Sequence, residues 1–279
     1  MTQPQSDQEV STAIPKEPEK GNGRSRDFVQ SLERGLEIMR VFSAERPSMT
    51  VSEVAQMVGL TRATVRRFLL TLSELGYVKE KFNRFELTPQ VLELGYAFLS
   101  SLSFPDVALP KLEELVALTG ESSEAAILDR GDVVYVARVA GPALMTVSVN
   151  IGARRPAYAT SLGRAMLAGL SEFELRSYLD QYELKPMRAG TVIDQSLFLS
   201  QLEKVREHGF AFVNQELEEG LIALAVPVKD TQGAVIGAIN LSTHIGRKSI
   251  EDLTAFVPLL KSTAAEIEHG LRYSAVTIR

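Results

Sequence analysis

The segment 50–87 restricts the fold more than any other part of the chain, because its helix signals follow one another at short spacing. Thr50-Val51-Ser52-Glu53 is a capping-box pattern, in which the hydroxyl and the carboxylate each accept a hydrogen bond from the other residue's backbone N–H. A helix is therefore predicted to start there and to end at Gly59. Thr61 is predicted to cap a second helix that runs to Leu75. The segment thus predicts two helices joined by a tight turn.

The second of these helices has an apolar face and a basic face. Its apolar residues recur at steps of three and four and are predicted to pack on a core. They are Val65, Phe68, Leu69, Leu72 and Leu75. Arg66 and Arg67 point away from this stripe, and guanidinium groups bind guanine edges or phosphates, whereas hydroxyl groups bind either. The predicted DNA contacts lie on this helix, on the helix before it and on the hairpin after it. They are Thr50, Ser52, Thr61, Arg62, Thr64, Arg66, Arg67 and Arg84.

A wing and one further helix complete the predicted DNA-binding domain, which spans residues 24–88. Strands are predicted at 77–80 and 84–87, around the turn Lys81-Phe82-Asn83, with Arg84 near the tip. Apolar residues at helical spacing between residues 31 and 43 predict a first helix that covers the other two. Together these elements predict a winged helix-turn-helix.

The charge distribution favours a DNA-binding role for this domain. Residues 24–90 hold 11 Lys and Arg against 8 Asp and Glu, whereas residues 91–279 hold 17 against 23, within a chain of net charge −5. Attraction to DNA depends on the local face more than on the total charge. The alternative is a small helical pair whose arginines are only solvated, because helix-turn-helix patterns alone often mislead.

Length and composition exclude several classes of protein. A chain of 279 residues, 45% of them hydrophobic, is long enough for two cores. It has no cysteine, which excludes disulfides and thiol catalysis. No apolar run approaches the roughly 20 residues that span a bilayer, and no signal-peptide pattern is present, so a soluble cytoplasmic protein without membrane segments is expected. Residues 1–23 are polar and are predicted to form a disordered tail.

A linker helix is predicted over residues 89–104. Thr88-Pro89 combines a hydroxyl cap with proline at the first helical position, and Pro105 is expected to end the helix. An apolar stripe along it is predicted to pair with the same helix of a second subunit, because it would otherwise face water. The stripe consists of Leu92, Tyr96 and Leu99.

Residues 105–272 are predicted to form an α+β domain, followed by a C-terminal tail at 273–279. Hairpin-linked strands alternate there with segregated helices, which is typical of this class. Strands are expected at 124–128, 133–139, 145–149, 210–214, 221–228 and 235–242. Helices are expected at 106–119, 160–170, 171–182 and 194–208, and Ser249 is expected to cap the final helix.

Several stretches resemble the IclR family of bacterial transcription regulators, especially the branch that controls aromatic-acid catabolism through the β-ketoadipate and protocatechuate pathway. They are Phe28-Val-Gln-Ser-Leu-Glu-Arg-Gly35, Leu60-Thr-Arg-Ala63, Leu92-Glu-Leu-Gly-Tyr96, Arg154-Arg-Pro-Ala-Tyr-Ala-Thr-Ser-Leu-Gly-Arg164 and Asn240-Leu-Ser-Thr-His244. The resemblance covers nearly everything from Phe28 onward. It implies a winged helix-turn-helix, a linker helix and a C-terminal GAF-like effector domain.

The resemblance also implies an effector pocket, built from the turn that enters the helix at residue 160 and from facing strands. The implied residues are Thr160, Ser161, Leu162, Val213 or Asn214, Ala223, Asn240 and Ser242, with Arg154, Arg155, Tyr158, Arg164 and His244 as further candidates. Backbone N–H groups at a helix start suit a carboxylate, which agrees with this placement. Family members that sense small oxo-acids can have cysteine where this chain has Ala223, so a small oxo-acid is disfavoured. Arg164 has an alternative interpretation as a surface residue, Tyr158 as a core residue and His244 as a structural side chain.

The sequence predicts a regulator and not an enzyme. It has no Gly-x-Ser-x-Gly motif, Walker loop, dinucleotide fingerprint or metal-spaced histidines, and no cofactor or metal is expected. The predicted protein is a homodimer, or a dimer of dimers, that binds a palindromic operator in double-stranded DNA. A small aromatic or dicarboxylic acid is expected to control this binding. The alternative is a ligand-sensing GAF-like module that signals to a protein partner.

Overall fold

The computed structural model describes residues 27–99, 103–142 and 149–274. The expected disordered tail at 1–23 lies outside the described residues. The same holds for the expected strand at 145–149, apart from Val149, and for the C-terminal tail from residue 275 onward. The described part divides into two units between Glu93 and Leu94.

The N-terminal unit contains the predicted three helices and wing. Its elements are α1 (Gln30–Arg40), β1 (Ser48–Met49), α2 (Val51–Val58), α3 (Arg62–Glu74), β2 (Val78–Lys81) and β3 (Arg84–Leu87). The strands form an antiparallel sheet in the order β1-β3-β2. The sequence analysis missed β1, because a strand of two residues carries no alternation that could predict it. The core between helices and sheet contains Ile38, Val54, Val65, Leu69 and Phe85, all fully buried.

Local signals explain the ends of these elements. The predicted capping box at α2 is present, with Thr50 and Glu53 bonded to each other's backbone N–H. Gly59 ends α2 in the left-handed region at φ 66°, where glycine has no steric penalty. The wing turns at Phe82 and Asn83, whose φ angles of 50° and 60° are those of a two-residue type I′ hairpin turn.

The linker region differs from the prediction at its C-terminal end. The linker helix α4 spans Val91–Leu99, and the next helix, α5, spans Ser103–Thr119. Pro105 therefore does not end the linker helix, and this expectation was wrong. Pro105 lies in the first turn of α5, where a missing N–H costs nothing because no intrahelical acceptor exists for it. Phe104, in the same turn, is buried in the core of the C-terminal unit.

The C-terminal unit is built on a six-stranded antiparallel sheet in the order β6-β5-β4-β9-β8-β7. The strands are β4 (Ser123–Asp129), β5 (Asp132–Val139), β6 (Arg154–Pro156), β7 (Ala211–Asn214), β8 (Leu221–Lys229) and β9 (Val235–His244). The remaining helices are α6 (Ser161–Leu167), α7 (Glu172–Gln181), α8 (Gln195–His208), α9 (Ile250–Thr254) and α10 (Val257–Ser274). The predicted α+β class is confirmed.

Helices cover both faces of this sheet. Successive strand residues point to opposite faces, and on β8 Leu224 packs with α5 and α10 whereas Ala225 packs with α6, α7 and α8. The small side chain of Ala225 and its equivalent on β9, Ala238, bring α6 close to the sheet. The sheet therefore holds α6 in a fixed position.

Two features of this unit were not predicted. Edge strand β6 and the 3₁₀ turn Ala157–Ala159 precede α6, and the expected single final helix is divided into α9 and α10. Pro258 lies in the first turn of α10 and has no N–H to donate to a carbonyl of α9, which accounts for the division.

Replacement of Gly163 by alanine is expected to destabilise the C-terminal unit. An added Cβ would overlap the backbone carbonyl of Ala157, which cannot move aside as a side chain would. We expect a loss of about 1–3 kcal/mol in the free energy of unfolding, measured by urea denaturation. The matched control is Gly95→Ala in α4, where no atom of the described residues beyond the helix's own backbone and the two chain neighbours lies within 4 Å of the added Cβ. Equal stability of the two variants would contradict this close packing of α6 on the turn.

Candidate nucleic-acid interface and ligand cavity

Helix α3 presents the predicted basic face. Val65, Leu69 and Leu72 are buried, whereas Arg62, Arg66 and Arg67 are exposed on the opposite side. Within the part of the chain that the structure describes, no hydrogen bond or ion pair is recorded for these three guanidinium groups. Their charge is therefore available to phosphates and to guanine edges.

The hydroxyl groups of α2 and α3 that are predicted to contact DNA differ in the hydrogen bonds that they make within the domain. The hydroxyls of Thr50 and Thr61 cap the two helices, and Thr61 also lies 2.9 Å from the hydroxyl of Thr64. Ser52 is exposed on the first turn of α2. A capping oxygen is occupied as an acceptor, so Thr50 and Thr61 position the helices as well as presenting a polar surface.

Arg84 contacts the body of its own domain. Its guanidinium donates to the carbonyl of Ser48 at 2.6 Å and to the hydroxyl of Ser48 at 3.2 Å, and it lies 3.3 Å from a carboxylate oxygen of Glu53. The hydrogen bond from the Thr50 N–H lowers the pKa of Glu53, and Arg84 adds to this effect. Arg84 thus ties the wing to β1 and α2, and its contact with DNA stays a prediction.

A cavity lies in the C-terminal unit between the start of α6 and the sheet. Six of the predicted effector residues line it, namely Thr160, Ser161, Leu162, Ala223, Asn240 and Ser242. Val213, the predicted alternative to Asn214, lines it as well. The turn into α6 and the strands of the sheet therefore meet in the way that the family resemblance implies.

Several further predicted effector residues do not line this cavity, among them Arg154, Arg155, Tyr158, Asn214 and His244. Arg154 clamps the β4–β5 turn through Asp129 and Asp132, at 2.7 and 3.1 Å. The hydroxyl of Tyr158 donates to the carbonyl of Lys185, the amide of Asn214 bonds Gln215, and Nδ1 of His244 accepts from the N–H of Gly246. The structural alternatives for Tyr158 and His244 match these positions.

Four polar residues that line the cavity were missed by the sequence analysis, and one of them, Ser122, directly precedes β4. Glu124 lies on β4, and Tyr135 and Arg138 lie on β5. A sequence signal existed for Glu124, because a charged residue in an otherwise buried apolar strand requires a partner. Arg138 carried no comparable signal, since it stands near the end of its strand.

Glu124 is buried at the wall of the cavity. Its carboxylate accepts from the hydroxyl of Ser242 at 3.2 Å and lies 3.6 Å from Nε of Arg138. The backbone N–H of Glu124 donates to the side-chain oxygen of Asn240 at 2.7 Å. Burial raises the pKa of Glu124, and the opposing effects of Asn240, Arg138 and Ser242 are smaller.

Behind the cavity, a buried ion pair fixes the start of α6. Arg164 donates to Glu216 through Nη1 at 2.7 Å and to the carbonyl of Tyr158 through Nε at 2.8 Å. The N–H of Val192 donates to the same carboxylate at 3.0 Å. Arg164 is thus a buried structural residue, and the alternative that placed it on the surface was wrong.

The described residues contain neither a cluster of metal-binding side chains nor a membrane-spanning helix. No group of three or more His, Cys, Asp or Glu in these ranges is arranged to hold a metal ion. Within the same ranges, no helix has the length and apolar character that crossing a membrane requires.

Two family models match the chain. The model of the IclR helix-turn-helix domain matches residues 31–81, and the model of the bacterial transcriptional regulator IclR C-terminal domain matches residues 96–269. The helix-turn-helix match decides against the alternative of a sensor that signals to a protein without binding DNA.

Known proteins resemble the chain over most of its length. The Pca regulon regulatory protein of Pseudomonas putida is 37% identical over 88% of this chain and 85% of its own. A transcriptional regulator from Rhodococcus sp. RHA1 has a crystal structure with a TM-score of 0.79 and 47% identity, over 88% of this chain and all of its own.

A third relative is known as a complex with a small molecule. The inducer binding domain of a double mutant of the PobR transcription factor from Acinetobacter, in complex with 3-hydroxybenzoic acid, matches 59% of this chain and 97% of its own. Its TM-score is 0.56 at 35% identity. The relatives are transcriptional regulators, and the expected similarity to regulators of aromatic catabolism is confirmed. The chain belongs to the IclR family of bacterial transcriptional regulators and is a DNA-binding regulator of transcription.

Proposed function

We propose that a small aromatic carboxylic acid binds in the cavity and changes the affinity of this regulator for its operator. The observation that carries the proposal is the presence of a cation, Arg138, in a cavity with mostly apolar walls. A guanidinium in a partly desolvated site is a strong partner for a carboxylate. Ser161 and Leu162, at the start of α6, line the same space.

The apolar lining favours an aromatic ring as the body of the effector. Leu162, Val213, Leu217 and Leu221 contribute hydrocarbon surface, and the small side chain of Ala223 leaves room beside them. Burial of a flat ring against such walls supplies most of the affinity in sites of this kind. The complex of the PobR inducer binding domain with 3-hydroxybenzoic acid supports the same class of ligand. The controlled genes are then expected to be those that degrade aromatic acids.

For the DNA-bound state, we propose a homodimer, or a dimer of dimers, that acts in the cytoplasm on a palindromic operator. Each α3 enters the major groove with Arg62, Arg66 and Arg67 toward the DNA, because the opposite face of the helix is occupied by its own core. Two identical heads require half-sites related by the same two-fold symmetry, which makes the operator a palindrome.

Coupling between the two sites follows from differential affinity. The acid changes operator affinity only to the extent that it binds one arrangement of the regulator better than the other. The coupling free energy is reciprocal, so the operator alters the affinity for the acid by the same factor.

Replacement of Arg67 by alanine is expected to weaken operator binding. If Arg67 contacts a phosphate, the slope of log affinity against log salt concentration drops by about one unit. Fluorescence anisotropy with a labelled promoter fragment at several salt concentrations measures both quantities. The matched control is Arg176→Ala, which removes an exposed arginine of α7 whose partner is Glu172. Unchanged operator affinity in the Arg67 variant would remove this residue from the interface.

Replacement of Ser161 by phenylalanine is expected to abolish the response to the acid and to leave DNA binding intact. The larger side chain fills the cavity at the start of α6, whereas α3 belongs to the other unit. The measurement is operator affinity with and without 3-hydroxybenzoate. Ser200→Phe, at an exposed position of α8, is the control for the added bulk. A normal response in the Ser161 variant would place the effector elsewhere.

Replacement of Arg138 by glutamine is expected to reduce affinity for the acid by about tenfold or more, because a charge-assisted bond is lost. Isothermal titration calorimetry with 3-hydroxybenzoate checks this value. Operator affinity without ligand serves as the control and is expected to be unchanged. Wild-type affinity for the acid in this variant would rule out Arg138 as the carboxylate partner.

A further inference from the structure

We propose that Glu124 makes the cavity selective for a monocarboxylic acid that also carries a hydroxyl group, and against a dicarboxylic acid of the same size. The inference rests on the proposed function, because it concerns the ligand of the same cavity. The sequence left both aromatic and dicarboxylic acids open as effectors. The inference selects hydroxylated monocarboxylic acids among them.

The charges in the cavity wall supply the first reason. Among the described residues that line the cavity, Arg138 is the cation and Glu124 is the anion, and their closest atoms are 3.6 Å apart. The wall therefore sums to zero when both are ionised. A monocarboxylate adds one negative charge to this pair, whereas a dicarboxylate adds two. Like charges are costly to bring together where water is excluded, so the second carboxylate is disfavoured.

The hydrogen-bonding capacity of Glu124 supplies the second reason. A carboxylate has about four lone-pair sites and, when ionised, no donor. Ser242 donates to this carboxylate, and Arg138 lies beside it, so acceptor capacity remains for a donor from the ligand. A hydroxyl group brings such a donor. A benzoate without a substituent, or an ionised second carboxylate, brings none and leaves the buried acceptor unsatisfied.

The pH dependence of ligand binding is expected to come from Glu124 itself. The other charged and titratable residues that face it lie on β5. From β5, Arg138 lies 3.6 Å from Glu124. Burial, followed by the negative charge of Glu124, raises the pKa of Tyr135 on the same strand. Arg155 and Glu218 act on Tyr135 with opposite signs. The cavity residues of α6, β7, β8 and β9 include no titratable group.

A dicarboxylate can enter when Glu124 takes up a proton, and burial raises the pKa of this group. Above that pKa, each pH unit makes protonation about tenfold less frequent, so the affinity for a dicarboxylate falls by up to that factor. A hydroxy acid binds the ionised form and is much less affected. The preference for the hydroxy acid therefore grows as the pH rises.

The test is calorimetry of the full-length protein with matched pairs of acids. 3-Hydroxybenzoate is paired with isophthalate, and 4-hydroxybenzoate with terephthalate, so that each pair differs only in hydroxyl against carboxylate at one ring position. Benzoate is the reference without either group. Wild-type protein and Glu124→Gln are titrated at a lower and a higher pH, because burial raises the pKa of this carboxyl and a change of pH alters its charge state.

For the wild type, we expect the tighter-binding hydroxybenzoate to bind at least about tenfold more tightly than benzoate. We expect the same minimum preference over its matched diacid, and this second preference is expected to be larger at the higher pH. In Glu124→Gln, we expect the diacid to gain about tenfold at the higher pH and the pH dependence of the ratio to disappear. A purely structural role for Glu124 would weaken all five acids alike and leave the ratios unchanged.

A second variant keeps the test decisive if Glu124→Gln does not fold. Ser242→Ala removes a donor that lowers the pKa of Glu124, so the pH at which the diacid is lost is expected to rise. If both variants keep the wild-type ratios of hydroxybenzoate to diacid affinity and the wild-type pH dependence, the proposed role of Glu124 is overturned, although the binding of acids in the cavity is not. If Glu124→Gln does not fold, the same result in Ser242→Ala alone overturns it. Absence of binding for every acid by the wild type would overturn the proposed effector class and this inference with it.

Discussion

The cavity depends on the buried ion pair between Arg164 and Glu216. The side chains are 3% and 8% exposed, and the guanidinium also holds the carbonyl of Tyr158. Removal of one partner from such a pair typically costs about 3–5 kcal/mol, because the other charge is left buried alone. The pair holds α6 beside the segment that follows β7, where Leu217 lines the cavity. Ser161 and Leu162 are thereby fixed in position before any ligand arrives.

The two units use charge in different ways. On α3, three exposed arginines without a recorded partner in the described residues offer their charge to a polyanion, which suits attraction that is strong at low salt. In the cavity, Arg138 and Glu124 oppose each other, so the site discriminates between ligands by charge and by hydrogen bonding. A regulator needs both properties, because its operator has a constant backbone charge whereas its effector must be distinguished from similar acids.

Local and long-range features differ in how far the sequence predicts them. The ends of α2 and the two faces of α3 follow from capping residues and apolar spacing, and the structure confirms both. Six predicted residues meet in the cavity because they lie in stretches that resemble the family. Glu124 escaped prediction because its partners Asn240 and Ser242 lie on β9, more than 100 residues away along the chain. The contact of Arg164 with Glu216 likewise depends on tertiary packing.

The central claim is that the acid and the operator are energetically linked in one molecule. Titration of the full-length regulator with 3-hydroxybenzoate, in the presence and absence of a saturating promoter fragment, tests it most directly. The factor by which DNA changes the affinity for the acid is expected to equal the factor by which the acid changes the affinity for DNA. An acid that binds with the same affinity whether or not the operator is occupied would contradict the account.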